Sequence, residues 1–454
     1  MSSPPLTATE RYPASEPRPV PSLPRVLAGL SSHDPMSLEQ HLAVHGEVVL
    51  GRGHGTPDLI DELERAGLRG HGGAAFPLAR KMRAVAGSRR RPVVVVNGAE
   101  GEPASGKDRI LLQMLPHLLI DGALLAAAAL GAREVIIAVC QSEPDGLHSV
   151  ARAIAERRRH PVGRRAPELT LVPVPAGYVA GQESALVSHL NGGPAKPTFT
   201  PPLPFEQGVR RRPTLVANAE TLAHVALIAR HGAAWFRELG TGPQPGSALV
   251  TISGAIARPG VYEIEYGASL SSLIAAGGGT TGRVRAALLG GYAGAWVGAE
   301  RLEELFLSEE QLAPHGATLG AGIIVLLSEI ACPVAETVRV ARWLAGQSAR
   351  QCGPCLFGLD ALAEALEAVA EGRLGDGDAR ARISALGRLT RRRGACAHPD
   401  GAVRFIASAV RTFADEFADH ALHGACDGCE RPGRLPLPAP AWSGSPARPK
   451  GVGR

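Results

Sequence analysis

Pro92-Val93-Val94-Val95-Val96-Asn97-Gly98-Ala99-Glu100-Gly101-Glu102-Pro103 is the stretch that decides the fold. Four successive β-branched residues closed by an Asn-Gly breaker make a short apolar run of the buried-strand kind. Downstream, an apolar helix-like stretch covers about 110–130, and Glu134 to Val139 forms a second strand candidate. A helix rich in alanine and arginine, about 145–159, leads to a third strand from Leu169 to Val174. This strand–helix–strand–helix–strand succession predicts an α/β domain with a largely parallel sheet. In open sheets of this type ligands collect at the carboxyl ends of the strands. Asn97 to Pro103, followed by Lys107-Asp108-Arg109, stands at such an end. Its amide and carboxylates suit hydrogen bonding to a heterocycle edge or to ribose hydroxyls, although a solvated acidic turn has the same composition.

Two more loops carry similar potential. Gly67-Leu68-Arg69-Gly70-His71-Gly72-Gly73-Ala74-Ala75-Phe76-Pro77 precedes a helix that holds Lys81 about one turn in. Its spacing is not the G-x-G-x-x-G of a dinucleotide fingerprint, but a glycine-dense loop entering a helix exposes backbone N–H groups to an anionic phosphate. A plain structural turn is an equal reading of that loop taken alone. Ala176-Gly177-Tyr178-Val179-Ala180-Gly181-Gln182-Glu183-Ser184 follows the third strand and supplies a ring and an acceptor.

From Ala248 the pattern changes. Val250 to Ala255 and Gly260 to Ile264 read as strands around an Arg258-Pro259-Gly260 turn, followed by a short helix, Leu270 to Ala276. This is a small α+β module. Beyond it, Leu362, Leu366 and Val369, and then Val403, Ile406, Val410, Phe413 and Phe417, fall at helical spacing and predict the core stripes of a helical bundle.

The composition sets the outer limits. The chain has 454 residues, enough for about three domains, with 45% hydrophobic residues and a formal net charge of +5. Coiled coil, collagen and wholesale disorder are excluded. Residues 1–25 and the tail from 431 are rich in proline and small or polar residues and are expected to be disordered. The runs Arg89 to Arg91, Arg157 to Arg159, Arg210 to Arg212 and Arg391 to Arg393 lack interleaved aromatics. They are expected to be solvated faces, with no nucleic-acid partner. No stretch of about 20 apolar residues predicts a membrane span. No basic and apolar leader is visible, and the chain is assigned to the cytoplasm.

Seven cysteines are unevenly placed. Random placement predicts roughly 0.1 pairs at C-x-x-C spacing, yet Cys352-Gly353-Pro354-Cys355 and Cys426-Asp427-Gly428-Cys429 both occur, with Cys396 between them. In a reducing compartment such pairs read as ligands of a soft metal centre, iron–sulfur or zinc. Cys140 and Cys332 lie in apolar contexts and are expected to be inert core residues.

Together these segments resemble the NADH-binding flavoprotein component of respiratory complex I and its relatives in soluble hydrogenases and formate dehydrogenases. The resemblance covers roughly 45–420. Gly67 to Pro77 is similar to G-L-R-G-R-G-G-A-G-F-P, Asn97 to Arg109 to N-x-D-E-G-E-P-G-T-x-K-D-R, and Tyr178 to Glu183 to Y-x-x-G-E-E. Pro213 to Thr221 is similar to P-T-x-x-N-N-V-E-T, and Gln351 to Gly358 with Cys396 to C-G-x-C-x-P-C-R-x-G … C.

The resemblance implies a Rossmann-like FMN/NADH-binding domain over 40–240, a ubiquitin-like β-grasp domain over 246–325 and a helical iron–sulfur domain over 330–425. It implies an oxidoreductase that passes electrons from NADH or NADPH through FMN and an iron–sulfur cluster to an electron-accepting protein subunit, a ferredoxin or a quinone-linked complex. The alternatives are a non-catalytic binding or assembly relative, and a flavoprotein whose C-terminal cysteines hold structural zinc. Residues carried over as cofactor contacts are Gly70, Gly72, Gly73, Phe76, Lys81, Asn97, Glu100, Tyr178, Gly181, Asn218 and Thr221. Glu102 and Glu183 are assigned to the reaction site as ribose or amide partners, and Cys352, Cys355 and Cys396 to a [4Fe–4S] or incomplete cluster.

Departures from the pattern are specific. Ala349 stands where the family has its first cluster cysteine, Ala99 for the aspartate of N-x-D-E, Gln182 for the first glutamate of G-E-E, and Ala217 for the first asparagine of N-N-V-E-T. Thr200 and Leu203 replace a basic and an aromatic residue, and His71 and Ala75 are milder changes. Cys426, Cys429 and His398 are the substitutes available for the missing fourth ligand.

Overall fold

In a computed structural model of the protein, the valine run is strand β1 (Val93–Gly98), flanked on one side by β2 (Glu134–Cys140) and β3 (Glu168–Val174). On the other side lies β4 (Thr214–Asn218), giving a four-stranded parallel sheet of order β3-β2-β1-β4. The structure describes residues 23–30, 34–50, 58–88, 90–163, 166–431 and 435–438.

β1 has no polar alternation because both of its faces are covered. Val94 and Val96 join the large core beneath the helices Pro116–Leu130 and Ala219–Phe236, while Val93 and Val95 pack on the opposite side with Leu186 and Val216. A strand buried on both faces is what a continuous β-branched run selects.

The apolar stretch 110–130 is two helices, Lys107–Met114 and Pro116–Leu130, bent by 94°. Pro116 lacks the N–H that would continue the first helix and starts the second instead. Among the described residues no single helix is long and apolar enough to cross a membrane.

β5 (Ser247–Gly254) and β6 (Gly260–Glu265) form the expected antiparallel pair. They extend into a five-stranded sheet of order β6-β5-β9-β7-β8 with β7 (Val284–Leu289), β8 (Ala295–Gly298) and β9 (Ile323–Ser328). The helix Leu270–Ala276 buries Leu270 and Leu273 against one face of this sheet, beside Val250, Ile252 and Ile264.

The third unit is helical: Pro333–Gly346, Leu359–Ala370, Asp376–Thr390, His398–Thr412 and Ala414–His423. Its core holds Leu362, Leu366, Val369, Val403, Ile406, Phe413 and Phe417, with Val410 packed against it, as the periodicity requires.

Packed structure reaches into both segments expected to be disordered. Leu23 is buried, and a single carboxylate, Glu263, accepts hydrogen bonds from the backbone N–H groups of Arg25, Val26 and Leu27 at 3.0–3.1 Å. At the other end Leu435 is buried and its N–H bonds Glu336 at 3.0 Å. Residues 1–22, 432–434 and 439–454 of those two segments, and Arg89 of the first arginine run, lie outside the described residues.

One arginine run is not a solvated face throughout. Arg157 is buried and pairs with Asp121, while its Nε lies 3.3 Å from Nδ1 of His117. Asp121 also holds His41 at 2.7 Å, so this polar network ties the helix Leu38–His45 to the α/β unit.

Candidate functional site

β1 is central, with β2 and β3 added on one side and β4 on the other, so the strand order reverses between β1 and β4. Crevices for ligands open at such a switch point, outside the carboxyl ends of the strands. The last register pair there is Asn97 with Asn218.

Three loops and the start of the helix Ala219–Phe236 converge on that point. The glycine-dense loop closes on itself through Gly70 N–H to Phe76 O at 2.9 Å and Leu78 N–H to Leu68 O at 3.0 Å. It is held over β4 by His71 N–H to Thr221 Oγ1 at 2.9 Å, and Gly72 faces the Asn218 side chain. From the helix Leu78–Ala86 that follows, Lys81 Nζ reaches Val216 O at 2.7 Å and Glu183 Oε2 at 2.9 Å. The other oxygen, Oε1 of Glu183, is buried with no partner among the described residues. Phe76 stands at the rim, half exposed.

The loops after β1 and β3 are in backbone contact. Asn97 Nδ2 donates to Gly181 O at 2.7 Å. A Cβ on Gly181 would lie 2.3 Å from Ala99 O, and one on Gly101 would lie 2.6 Å from Gly177 O. Only glycine permits that approach. The closure brings Glu100, Glu102 and Glu183 to one edge of the sheet. Gln182, in place of a family glutamate, is used locally: its Oε1 accepts from the Ser184 and Ala185 N–H groups and caps the helix Glu183–Leu190.

Below the loops lies a buried charge cluster that the sequence does not single out. Lys107 Nζ contacts Glu220 Oε2 at 2.8 Å, Asp108 Oδ1 at 2.9 Å and Asn218 Oδ1 at 3.3 Å. Burial disfavours the ammonium, but Asp108, Glu220 and Glu100 outweigh that cost and hold its pKa above the ordinary lysine value. Glu100 accepts from the backbone N–H groups of Asp108 and Arg109 at 3.3 and 3.1 Å, anchoring the start of the helix Lys107–Met114. Lys107 and Asp108 sit inside the quoted motif, yet only the fold brings Glu220 to them.

Glu102 and Tyr178 form a junction between units. Glu102 Oε2 accepts from Tyr292 N–H of the β-grasp unit at 3.1 Å. Burial pushes its carboxyl up to about 8, against the opposing pull of the Tyr292 N–H and the Tyr178 hydroxyl. The Tyr178 ring meets Trp343 and His398 of the helical unit, each with centroids 5.3 Å apart.

In the helical unit Cys352, Cys355 and Cys396 stand on two adjoining segments. The Cys352 sulfur accepts from the backbone N–H groups of Ala395 and Cys355, and the Cys396 sulfur from that of His398. Backbone N–H groups aimed at sulfur suit thiolate ligands. Ala349 is buried and offers no donor side chain. The substitute ligands do not assemble here: His398 Nε2 bonds Leu344 O at 2.9 Å, while Cys426 and Cys429 lie with Cys332 and His420. Cys332, which sequence context marks as inert core, has its sulfur 3.5 Å from that of Cys429. The spacing of His420, Cys426 and Cys429 is a signal in the sequence, but no local pattern points to Cys332.

Comparison with known proteins gives three family matches: a Nuo51 FMN-binding domain over residues 63–227, an SLBB domain over 249–291, and an NADH-ubiquinone oxidoreductase-F iron-sulfur binding region over 335–420. An NADH-quinone oxidoreductase subunit of Rhizobium meliloti is 32% identical over 385 residues, covering 82% of this chain and 91% of the relative. The chain belongs to the Nuo51 family. The matching NADH-quinone oxidoreductase subunit of Escherichia coli is 30% identical over 378 residues, covering 80% of this chain and 84% of its own. A crystal structure of an NAD+-reducing [NiFe]-hydrogenase in the H2-reduced state superposes with a TM-score of 0.73 at 31% identity, covering 80% of this chain. The present chain spans 62% of that hydrogenase chain. The parallel Rossmann-like sheet, the SLBB unit and the helical cluster region of the Nuo51 family are thus all present in this chain.

Proposed function

We propose that this chain oxidises NADH at FMN and delivers the electrons through an iron–sulfur cluster to a partner subunit of a heteromeric complex. The observation that carries the reading is the convergence of the glycine loop, Lys81, Asn97, Glu183 and Asn218 at the β1/β4 switch point, within the segment that matches an FMN-binding domain. The unpartnered buried oxygen of Glu183 is an acceptor available to a ligand there.

FMN supplies a ring that takes up a hydride and gives electrons singly. The chain binds and orients. Gly70, Gly72 and Gly73 present backbone to the phosphate side, and Lys81 adds an ammonium beside them. Asn97, Glu100, Gly181, Asn218 and Thr221 line the flavin position. Phe76 offers a stacking ring to the dinucleotide, with Glu183 as the acceptor. Glu102, whose carboxyl burial pushes up to about 8, is the ribose or amide partner at the same edge. Tyr178 acts through Glu102 and the helical unit. Cys352, Cys355 and Cys396 supply three thiolates to the cluster.

The cytoplasm is the compartment we infer, supported by seven free cysteines. The test is the absorption spectrum of the purified full chain. A flavin band that bleaches on adding NADH supports the reading; a colourless protein that takes up no FMN after anaerobic reconstitution overturns it in favour of a non-catalytic relative.

A further inference from the structure

Cys332, His420, Cys426 and Cys429 offer four ligand atoms that all lie within 4.8 Å of one another. The sulfurs of Cys426 and Cys429 are 3.8 Å apart, those of Cys429 and Cys332 3.5 Å, and His420 Nε2 stands 3.3 Å from Cys332 and 3.9 Å from Cys429. A tetrahedral ion with metal–sulfur bonds of about 2.3 Å and a metal–nitrogen bond of about 2.0 Å has ligand–ligand edges of about 3.8 Å between sulfurs and about 3.5 Å from sulfur to nitrogen. These four separations lie within about 0.4 Å of the matching edges of that tetrahedron.

The surroundings are built to the same end. His420 Nδ1 faces the carbonyl of Ala370 at 3.3 Å, which places the ring proton on Nδ1 and turns the Nε2 lone pair toward the thiols. Ala335 N–H donates to the Cys332 sulfur at 3.3 Å from the first turn of the helix Pro333–Gly346. Cys429 N–H closes on Cys426 O at 2.9 Å, folding the C-x-x-C pair into a tight turn. A Cβ on Gly428 would lie 3.2 Å from the Cys332 Cβ, so the turn rests directly on the third ligand. Cys332 and His420 are buried and Cys426 is exposed, which leaves one open side for loading.

We propose that these four residues bind one zinc ion, separate from the cluster of Cys352, Cys355 and Cys396. Three thiolates and one imidazole around a single point are a closed structural zinc set, whereas an iron–sulfur cluster spreads its thiolates over several irons. Binding converts three thiols to thiolates and releases three protons. The ion joins the start of the helix Pro333–Gly346, the end of the helix Ala414–His423 and the turn after it, so its role is to fix the C-terminal side of the helical unit. The site does not depend on the flavin reading.

The experiment is metal analysis of the purified full chain alongside the variants C426S/C429S and C352S/C396S. One zinc per chain is expected, lost from C426S/C429S with iron and the flavin band retained, and kept in C352S/C396S with iron lost. A second measurement covers poor folding of the variants: in the unaltered chain Cys426 should resist alkylation until a zinc chelator is added. Zinc absent from protein made in zinc-replete medium, iron lost from C426S/C429S in place of zinc, or rapid alkylation of Cys426 without chelator would each overturn the proposal. So would a Cys426–Cys429 disulfide in the reduced preparation.

Discussion

Lys107 Nζ lies 2.8 Å from Glu220 Oε2, with both side chains withdrawn from solvent. Asp108 and Asn218 complete the ring of partners. The cluster joins the segment after β1 to the one after β4, and thereby fixes the width of the crevice between them. Lys107→Met removes the cation of the group and leaves two carboxylates buried. Breaking a buried pair from one side costs about 3–5 kcal/mol. The midpoint of urea unfolding should fall accordingly, and an unchanged midpoint would show that the two carboxylates find other partners.

His224 lies stacked against His71 and is held neutral, its pKa lowered to about 3 by burial and by the neighbouring His71. In the unfolded chain it titrates near 6.5. Below that pH the unfolded state takes up a proton that the folded state refuses, so stability falls as pH drops from about 6.5 toward 3. His224→Gln should flatten the acid side of the stability profile. Urea midpoints from pH 7.5 to 5 check this; a slope equal to that of the unaltered chain would contradict it.

Glu102 carries the opposite sign. Its folded pKa is raised by burial to about 8, so the folded state holds a proton that the unfolded state gives up above about 4.5. The stability that proton provides is present at low pH and is lost as pH rises through 8. Glu102→Gln, which cannot ionise, should therefore gain stability relative to the unaltered chain as pH goes from 5 to 9. The difference between the two unfolding midpoints, followed across that range, is the readout.

Lys81 bonds Val216 O and Glu183 at the site proposed for FMN. A charge-assisted hydrogen bond contributes about 1.5–3 kcal/mol. Lys81→Ala should weaken flavin affinity by roughly 10- to 100-fold, measured by quenching of flavin fluorescence on titration. Flavin binding that survives undiminished would place the phosphate elsewhere.

Ala349 is buried where the family pattern has a cluster ligand. Ala349→Cys should raise iron content toward about four per chain. Iron analysis after anaerobic reconstitution decides it, and no rise would count against that alignment.

Much of this is legible in the chain. Val93 to Val96 announce the central strand because a run covered on both faces needs no polar alternation. Asn97, Gly181 and Lys81 stand out by their motifs, and the fold brings them together. β4 does not stand out as a strand, since Thr214-Leu215-Val216-Ala217 is short and its edge position shows only through pairing with β1. Arg157 is hidden inside an arginine run. Its spacing from Val150, Ala153 and Ile154 places it on the buried helix face, where Asp121, 36 residues away, and His117 supply the partners that make burial tolerable. Cys332 is the clearest case of information that local sequence does not hold, because its partner Cys429 is 97 residues distant.

The two ends of the described chain are held by residues far away in sequence. Val26 binds Glu263 across 237 positions, and Leu435 binds Glu336 across 99. On a ribosome adding about 5–20 residues per second, the first of these segments waits many seconds for its acceptor to emerge. The helical unit cannot close until the second has been made. The order of synthesis therefore leaves the α/β unit free to form early, its N-terminal strap fastened once Glu263 has been made and the C-terminal clasp of the helical unit last.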